Sequence, residues 1–265
     1  MTNSMVSCLC PTFNRPPDNQ WMLEEAVESF LRQDYADKEL IVCNDTPGQT
    51  LVCDAPGVRV LNVPGRFTTL SDKLRWMIRR ARGEVLCRWD DDDVCLPPRL
   101  SYSMARLADF PEWRSANYWY YPASEQRLIH NIGHGNSHIC SVWRREVLER
   151  IGGYPEGLSG IEDQAFNRAL ESASISRCEP IPVADVFYLY RFGLGRHLSQ
   201  QAGGSIDNPH QPHYDQIGQR PVQPGRYELR PHWRQDYQAL AVQATQRSAD
   251  PPQQAAEEPK QAGDQ

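Results

Sequence analysis

Residues 90–93 are four consecutive aspartates, and they directly follow a short apolar segment with strand character, residues 84–89. Like charges at the end of a buried strand repel one another, so such a run is stable where a cation or strong hydrogen-bond donors neutralise it. Carboxylate oxygens suit Mg²⁺ or Mn²⁺, and Mg²⁺ usually takes one or two protein carboxylates together with substrate phosphates. The run therefore predicts a metal-diphosphate site, with a solvated acidic turn as the alternative.

The residues after the acidic run favour the functional interpretation. Pro97 and Pro98 begin a segment in which Leu100, Met104 and Leu107 recur at helical spacing. The aspartates are therefore expected in a loop between a strand and a helix. Open α/β sheets bind their ligands in such loops.

A second acidic pair, Glu162 and Asp163, precedes a segment in which Phe166, Ala169 and Leu170 have helical spacing. The pair is a candidate site, but acids are also common in a first helical turn because they complement the helix dipole and cap free amides. Further along, residues 191–197 form a basic segment that we expect to be a flexible loop closing on an anion. Its last residue, His197, is a candidate metal ligand, with simple surface exposure as the alternative.

The overall composition excludes some classes of protein. The chain has 265 residues and a net charge of −6, with Lys and Arg scattered rather than clustered, which argues against nucleic-acid binding. Eight cysteines are spread along the chain, several of them within apolar strand-like segments, and we interpret them as reduced, buried side chains. Cys8 and Cys10 have no second pair at zinc-ligand spacing, which favours a structural role over metal binding. No apolar segment is long enough to span a membrane and no signal-peptide pattern is seen, so we expect a cytoplasmic protein.

Strand-like and helix-like segments alternate in the first half of the chain. The expected strands are residues 5–10, ended by Pro11, then 39–43, 58–63 and 84–89, and the expected helices are residues 23–31 and 70–81. This alternation predicts an α/β fold with a largely parallel, doubly wound sheet.

The second half of the chain has a looser pattern. Residues 117–121 and 128–132 are expected to add antiparallel strands to the same sheet. The remaining predicted elements are a strand at 139–143, a short helix at 144–151 and a final strand at 186–190.

Four sequence blocks resemble the inverting glycosyltransferases of family 2, which have the GT-A fold. The blocks are residues 6–15 (VSCLCPTFNR), residues 39–45 (ELIVCND), residues 73–100 with the acidic run, and residues 152–163, which start at Gly-Gly-Tyr and end at Glu-Asp. No block is decisive alone, but their order and spacing are specific, and the resemblance covers residues 5–198.

The resemblance implies a Rossmann-like doubly wound mixed sheet. It divides the chain into a GT-A domain at residues 1–200, a C-terminal extension at residues 201–247 and a tail at residues 248–265, whose Pro and Gln content predicts disorder. Within the domain, residues 5–111 are the expected nucleotide-sugar-binding half and residues 112–200 the expected acceptor half.

The resemblance also implies roles for individual residues. Asp163 is expected to be the general base, with Glu162 beside it, and Asp92 with His197 is expected to bind Mn²⁺ or Mg²⁺. Asp45 is expected to accept a hydrogen bond from the nucleobase of the donor, and Asp90 or Asp91 is expected to bind its ribose. The residues implied to bind the nucleotide are Pro11, Thr12, Phe13, Arg15, Asp45, Lys73, Asp90 and Asp91.

The predicted function is transfer of one sugar, with inversion, from a nucleotide-diphosphate donor, with a UDP-sugar expected, to a hydroxyl acceptor on a glycan, a lipid-linked molecule or a small molecule. A single transfer is expected because the chain has no Gln-x-x-Arg-Trp motif and no membrane helix; peripheral membrane association is left open. Asn44 stands where the family often has an aspartate, and Phe13 where it often has a tyrosine, so the base preference is open.

Two other functions fit part of the pattern. Asp90-x-Asp92-x-Val94 after a strand is typical of phosphatases of the haloacid-dehalogenase type, although about three strands precede it here, whereas that motif normally ends the first strand. The second alternative is a catalytically inactive GT-A-like binding module.

Overall fold

The computed structural model describes residues 4–132, 138–193 and 211–249. The strands are β1 Val6–Thr12, β2 Lys38–Asn44, β3 Gln49–Val52, β4 Val58–Asn62, β5 Val85–Arg88, β6 Val94–Cys95, β7 Glu112–Ser115, β8 Asn117–Pro122, β9 Ile129–Ile132, β10 Val142–Arg144, β11 Cys178–Glu179, β12 Tyr188–Phe192 and β13 Gly225–Glu228. The α-helices are α1 Gln20–Leu31, α2 Leu70–Ile78, α3 Arg99–Arg106, α4 Glu146–Arg150, α5 Glu162–Ser172, α6 Gln211–Gly218 and α7 Tyr237–Ala249, and 3₁₀ turns cover His138–Cys140 and Val183–Asp185.

The main sheet of the described residues has the strand order β11-β7-β10-β5-β1-β2-β4. Strands β5, β1, β2 and β4 are parallel to one another, whereas β10 runs antiparallel to β5 and β7. The predicted α/β fold with a largely parallel sheet is therefore confirmed. Because β1, β2 and β5 are parallel, their carboxyl ends lie at one edge of the sheet.

The first strand is longer than predicted. Pro11 does not end it but pairs in register with Cys43 of β2, and β1 continues to Thr12. A proline is tolerated near the end of a strand, where few ladder hydrogen bonds need its missing amide.

Alternating side chains of β1 and β2 pack into two hydrophobic cores, one on each face of the sheet. Cys8 and Val42 face the core that contains Phe30 of α1. Leu9 and Ile41 face the core that contains α2 and α5. Because both faces are buried, the strands are apolar throughout, as parallel strands between two helical layers require. Each fully buried aliphatic side chain contributes about 1.5–3 kcal/mol to this packing.

The aromatic strands of the second half form a separate sheet. Its order is β6-β12-β8-β9, with β8 antiparallel to β9 and parallel to β12. The predicted antiparallel pair is therefore present, but the expectation that it extends the main sheet was wrong. β12 reaches Phe192, so Arg191 lies inside a buried strand and not in the flexible loop that we expected.

The described part of the C-terminal extension packs against the first half of the chain. Strand β13 pairs in parallel with β3, which the sequence analysis missed. Further on, the backbone amides of Arg230 and Arg234 donate to the carboxylates of Glu24 and Glu25 on α1, at 2.9 Å each. Among the helices described, none combines the length and the apolar character that crossing a lipid bilayer requires.

Candidate active site

A cleft of about 460 Å³ opens at the carboxyl ends of β1 and β5. Its walls come from the loops after these strands, from the start of α5, from the aromatic sheet and from α6. The residues that line it are Pro11, Thr12, Phe13, Asn14, Arg15, Arg66, Leu70, Lys73, Arg88, Asp90, Asp91, Asp92, Asp93, Tyr118, His138, Ile139, Gly160, Glu162, Asp163, Tyr190, Tyr214, Ile217 and Arg220. Both acidic groups singled out in the sequence therefore reach one cavity, although about 70 residues separate them in the chain.

The loop after β1 brings an arginine to the acidic run. Asn14 adopts a positive φ of 51°, which asparagine tolerates better than most residues. Its backbone N–H donates to Thr46 Oγ1 at 2.7 Å. Arg15 then donates from Nε and Nη2 to the two oxygens of Asp91 at 2.7 and 2.5 Å, and from Nη2 to Asp92 Oδ2 at 2.8 Å. Although burial favours the neutral form, these carboxylates hold the pKa of Arg15 above its usual value.

The four aspartates have different surroundings. Asp93 is buried and accepts hydrogen bonds from the hydroxyl of Tyr188 at 2.6 Å and from the amide of Arg191 at 2.7 Å. Burial, together with repulsion from Asp92 and Asp90, raises the pKa of Asp93 well above its usual range. Asp93 therefore anchors the loop to β12, which leaves Asp90, Asp91 and Asp92 as the carboxylates best placed for a ligand.

Arg191 of β12 holds the backbone of the acidic run in place. Its Nε donates to the carbonyl oxygen of Asp92, and its Nη1 forms an ion pair with Glu25 of α1. Both members of the ion pair are buried. Arg191 thus positions the loop and does not reach the cleft. His197, the other predicted metal ligand, lies outside the described residues.

Arg88 joins the two acidic groups of the cleft and was missed by the sequence analysis. At the end of β5, its Nε donates to Asp90 Oδ1 at 2.6 Å, and its Nη1 lies 3.6 Å from Glu162 Oε1. The signal for it in the sequence was a charged residue at the end of an otherwise apolar strand. Its guanidinium reduces the mutual repulsion of the carboxylates around it.

Glu162 and Asp163 begin α5, after a turn in which Gly160 has a φ of 77° that favours glycine. Glu162 is buried, whereas Asp163 is half-buried and lines the cleft. Burial, followed by repulsion from Glu162, raises the pKa of Asp163 to about 7. A carboxylate with a pKa near neutrality can accept a proton effectively at physiological pH.

The other end of the cleft is formed by Pro11, Thr12 and Phe13. Lys73 of α2 donates from Nζ to the carbonyl oxygen of Thr12 and to Asp45 Oδ1, both at 2.7 Å. Asp45 is fully buried and does not line the cleft, and its Oδ2 accepts from the amide of Phe67 at 3.0 Å. The structure therefore places Asp45 behind the pocket wall, where it orders Lys73 and the loop before α2.

Several cleft residues were not foreseen in the sequence. Tyr118 and Tyr190 come from the aromatic sheet, and Tyr214 comes from α6. His138 is buried against Trp143, and its Nε2 lies 3.2 Å from the hydroxyl of Tyr154. Burial and then the charge of Arg88 hold the pKa of His138 well below its usual value, so this imidazole is neutral.

The donor set of the acidic loop fits a hard divalent cation. Asp90 and Asp92 bring carboxylate oxygens to the cleft, and oxygen is the ligand that Mg²⁺ and Mn²⁺ prefer. Within residues 4–132, 138–193 and 211–249, no three His, Cys, Asp or Glu side chains are grouped as a complete metal cage. Besides Asp90 and Asp92, an ion here could take ligand oxygens from water and from a bound phosphate, as is common for Mg²⁺.

Comparison with known proteins gives consistent results. Residues 7–112 match the family described as glycosyl transferase family 2. The WcaA protein of Escherichia coli (strain K12), whose name is that of a colanic acid biosynthesis glycosyl transferase, is 28% identical over 148 residues, which cover 52% of this chain and 44% of WcaA.

Two solved structures share the fold. TarS of S. aureus (residues 1–349) in complex with UDP-GlcNAc has a TM-score of 0.56 at 16% identity, covering 76% of this chain and 62% of that one. The mannosyltransferase PcManGT from Pyrobaculum calidifontis, in complex with GDP-Man and Mn²⁺, has a TM-score of 0.52 at 18% identity, covering 75% of this chain and 60% of that one. The chain thus spans less than half the length of the curated relative and about three fifths of these structures.

Proposed function

We propose that the cleft transfers a sugar from a nucleotide-diphosphate donor to a hydroxyl acceptor, with inversion at the anomeric carbon. The match of residues 7–112 to glycosyl transferase family 2 supports this proposal. The observation that carries this proposal is the convergence of Asp163, with its pKa raised to about 7, and the acidic loop in one cavity. Such a reaction needs a general base for the acceptor hydroxyl and a site that stabilises the departing diphosphate. The acidic loop suits the second role because its carboxylate oxygens can bind a cation.

The residues of the cleft divide between the two substrates. Phe13 and the adjacent backbone of β1 face the nucleoside, and Asp90 or Asp91 accepts a hydrogen bond from the ribose. Asp92 would hold a divalent cation, which when bound would neutralise negative charge on the departing diphosphate. The Mn²⁺ and GDP-Man in the structure of PcManGT support this assignment.

Asp163 acts on the acceptor. Its carboxylate removes the proton of the acceptor hydroxyl as that oxygen forms a bond to the anomeric carbon and the bond from that carbon to the diphosphate breaks. Glu162 is held near Arg88 and keeps the proton affinity of Asp163 high through repulsion. The attack from the side opposite the leaving group inverts the configuration.

A donor screen followed by product analysis tests the proposal. Purified protein is incubated with UDP-GlcNAc, UDP-glucose, UDP-galactose and GDP-mannose, with and without Mn²⁺, and release of the nucleoside diphosphate is measured. Release from at least one donor that depends on Mn²⁺, and a sugar product whose anomeric configuration by NMR is opposite to that of the donor, are expected. A product with retained configuration would contradict the role of Asp163 as a base.

A further inference from the structure

Three side chains from distant parts of the chain form a stack at the nucleoside end of the cleft. The guanidinium of Arg66 lies between the rings of Phe13 and Tyr214, with Cζ 4.5 Å from the centre of the first ring and 3.9 Å from the centre of the second. All three line the cleft. We call them the base-end stack. Aromatic faces hold the guanidinium plane in one orientation, because they attract it electrostatically and match its shape.

The C-terminal extension fixes the position of Arg66. Arg66 Nη2 donates to the carbonyl oxygen of Tyr214 at 2.6 Å, and the hydroxyl of Tyr214 donates to the carbonyl oxygen of Phe67 at 3.3 Å. Gly218, at the end of α6, leaves room for the guanidinium, since a Cβ there would lie 1.7 Å from Arg66 Nη1. A side chain at residue 218 would therefore require the Arg66 guanidinium to move from this position.

The hydrogen-bonding capacity at this end of the cleft belongs to Arg66 rather than to Asp45. Both oxygens of Asp45 already accept hydrogen bonds, from Lys73 and from the amide of Phe67, and Asp45 does not reach the cavity. Arg66 Nε, in contrast, is a buried donor without a hydrogen-bond partner among the described residues. A buried donor without an acceptor is unfavourable, and Arg66 lines the cleft, so its guanidinium is suited to bind an acceptor on a ligand.

We propose that Arg66, held by Phe13 and by Tyr214 of the extension, selects the nucleobase of the donor. The assignment rests on the proposed function. A guanidinium only donates hydrogen bonds, so it favours a base with a carbonyl oxygen next to its reading edge. Uracil has such an oxygen at C4 and guanine at C6, whereas cytosine and adenine carry an amino donor at these positions. Arg66 thus favours UDP over CDP and GDP over ADP.

Binding of the four nucleoside diphosphates UDP, CDP, GDP and ADP tests the assignment. Kd values are measured by isothermal titration calorimetry with Mn²⁺, for the wild type and for R66A and R66K. The wild type is expected to bind UDP at least about tenfold more tightly than CDP, or GDP than ADP, as a base contact by arginine typically provides. R66A is expected to bring the ratio of the two Kd values below about threefold. R66K keeps the positive charge but not the planar guanidinium, and it should lower the ratio in the same way.

Two further variants separate a local effect from a general one. G218A adds a methyl group where the Arg66 guanidinium lies, so it displaces Arg66 without removing it, while alanine favours the helix; it should also reduce the ratio. R79A removes the same charge at an exposed position at the end of α2 and should leave the ratio unchanged. Thermal melting of each variant checks that it is folded.

The outcomes distinguish this inference from the proposed function. If the wild type binds one base of a pair preferentially and R66A keeps that preference, Arg66 does not read the base, and the proposed function is unaffected. A wild type that favours CDP or ADP overturns the assignment in the same way. If the folded wild type binds none of the four diphosphates, the proposed function itself fails.

Discussion

Asp163 gains its chemical character from its immediate neighbours. It is half-buried at the first turn of α5, and the charged or titratable groups that face it are Glu162 on the same helix, Arg88 and Asp90 on β5 and its loop, and Tyr154 before α5. Burial and the negative charge of Glu162 favour its protonated form, and Arg88 opposes them. The net result is a carboxyl that titrates near neutrality.

The activity should depend on pH through this residue. Because a general base must be ionised, kcat/KM is expected to fall about tenfold per pH unit below a pKa of about 7. In E162Q, the loss of the neighbouring negative charge should move this acid limb to lower pH. The limb is measured from initial rates between pH 5 and 9 at saturating Mn²⁺. An acid limb near pH 4 in the wild type, or one that E162Q leaves in place, would contradict the assigned environment.

The same pKa shift has a consequence for stability. Since the pKa of Asp163 is raised on folding, the folded state binds its proton more tightly, and this contribution to stability is lost as the pH rises from about 4 through about 7. D163N should therefore be more stable than the wild type at pH 8 and gain little at pH 4. Urea unfolding at both pH values measures the difference. If D163N and the wild type were equally stable at pH 8, ionisation of Asp163 would not destabilise the folded protein.

At the level of residues, the sequence revealed which acids matter but not how each is used. The acidic run and the pair at residues 162 and 163 were visible because each consists of consecutive acidic residues. The roles of Asp93 and Asp45 depend on Tyr188, Arg191 and Lys73, which are distant in sequence, so no local pattern could show them.

At the scale of secondary-structure elements, strand β12 and helix α1 hold the acidic loop in place. Their connection is the buried ion pair between Arg191 and Glu25, which also accepts hydrogen bonds from Tyr237 and from the amide of Arg234. The pair holds the strand, the helix and the extension around the backbone of Asp92. Such a buried network stabilises one arrangement only while every charge in it has a partner.

Replacing Arg191 with methionine should destabilise the protein strongly. The variant leaves Glu25 buried without its cation, which typically costs about 3–5 kcal/mol in the free energy of unfolding. R127M, which breaks an exposed ion pair with Glu125, should cost less than about 1 kcal/mol. Urea denaturation of both variants measures the two changes. Similar values for R191M and R127M would show that the buried pair does not support the loop.

Among the elements, sequence patterns found the parallel core and misplaced the shorter pieces. Strands β1, β2 and β5 were predictable because they are continuous apolar segments. The two-residue strands β6 and β11 are too short to show a period, and β3 and β13 pair although residues such as Gln49 and Gly225 are far apart in the chain. The end of β12 was missed because Arg191 reads as a surface residue until its partner Glu25 is known.

On the scale of the whole molecule, the extension is part of the structure that forms the cleft. Trp233 donates from its indole nitrogen to Ser29 Oγ at 3.1 Å, and the guanidinium of Arg32 lies 4.3 Å from its ring centre. Tyr214 reaches the cleft from the same extension. The sequence indicated a C-terminal extension at residues 201–247, but not that α6 of this extension would line a cavity formed by β1 and β5.

Loss of the Trp233 contact should weaken the attachment of the extension. W233A is expected to lower the free energy of unfolding by about 2–3 kcal/mol, less than for a fully buried tryptophan because this side chain is half-buried. V242A, at a position on α7 that is 56% exposed, should change it by less than about 0.5 kcal/mol. Differential scanning calorimetry compares them. A W233A variant as stable as V242A would mean that the extension adds little to the fold.

The most direct measurement for the whole account compares D163N with the wild type in kinetics and in donor binding. The donor is the sugar nucleotide that the wild type turns over best with Mn²⁺, and its Kd is measured by calorimetry. If Asp163 is the base, kcat falls by about 10²–10⁴-fold, the contribution expected of general base catalysis, while the Kd of the donor stays within about threefold. A D163N variant that transfers sugar at the wild-type rate would contradict the central claim.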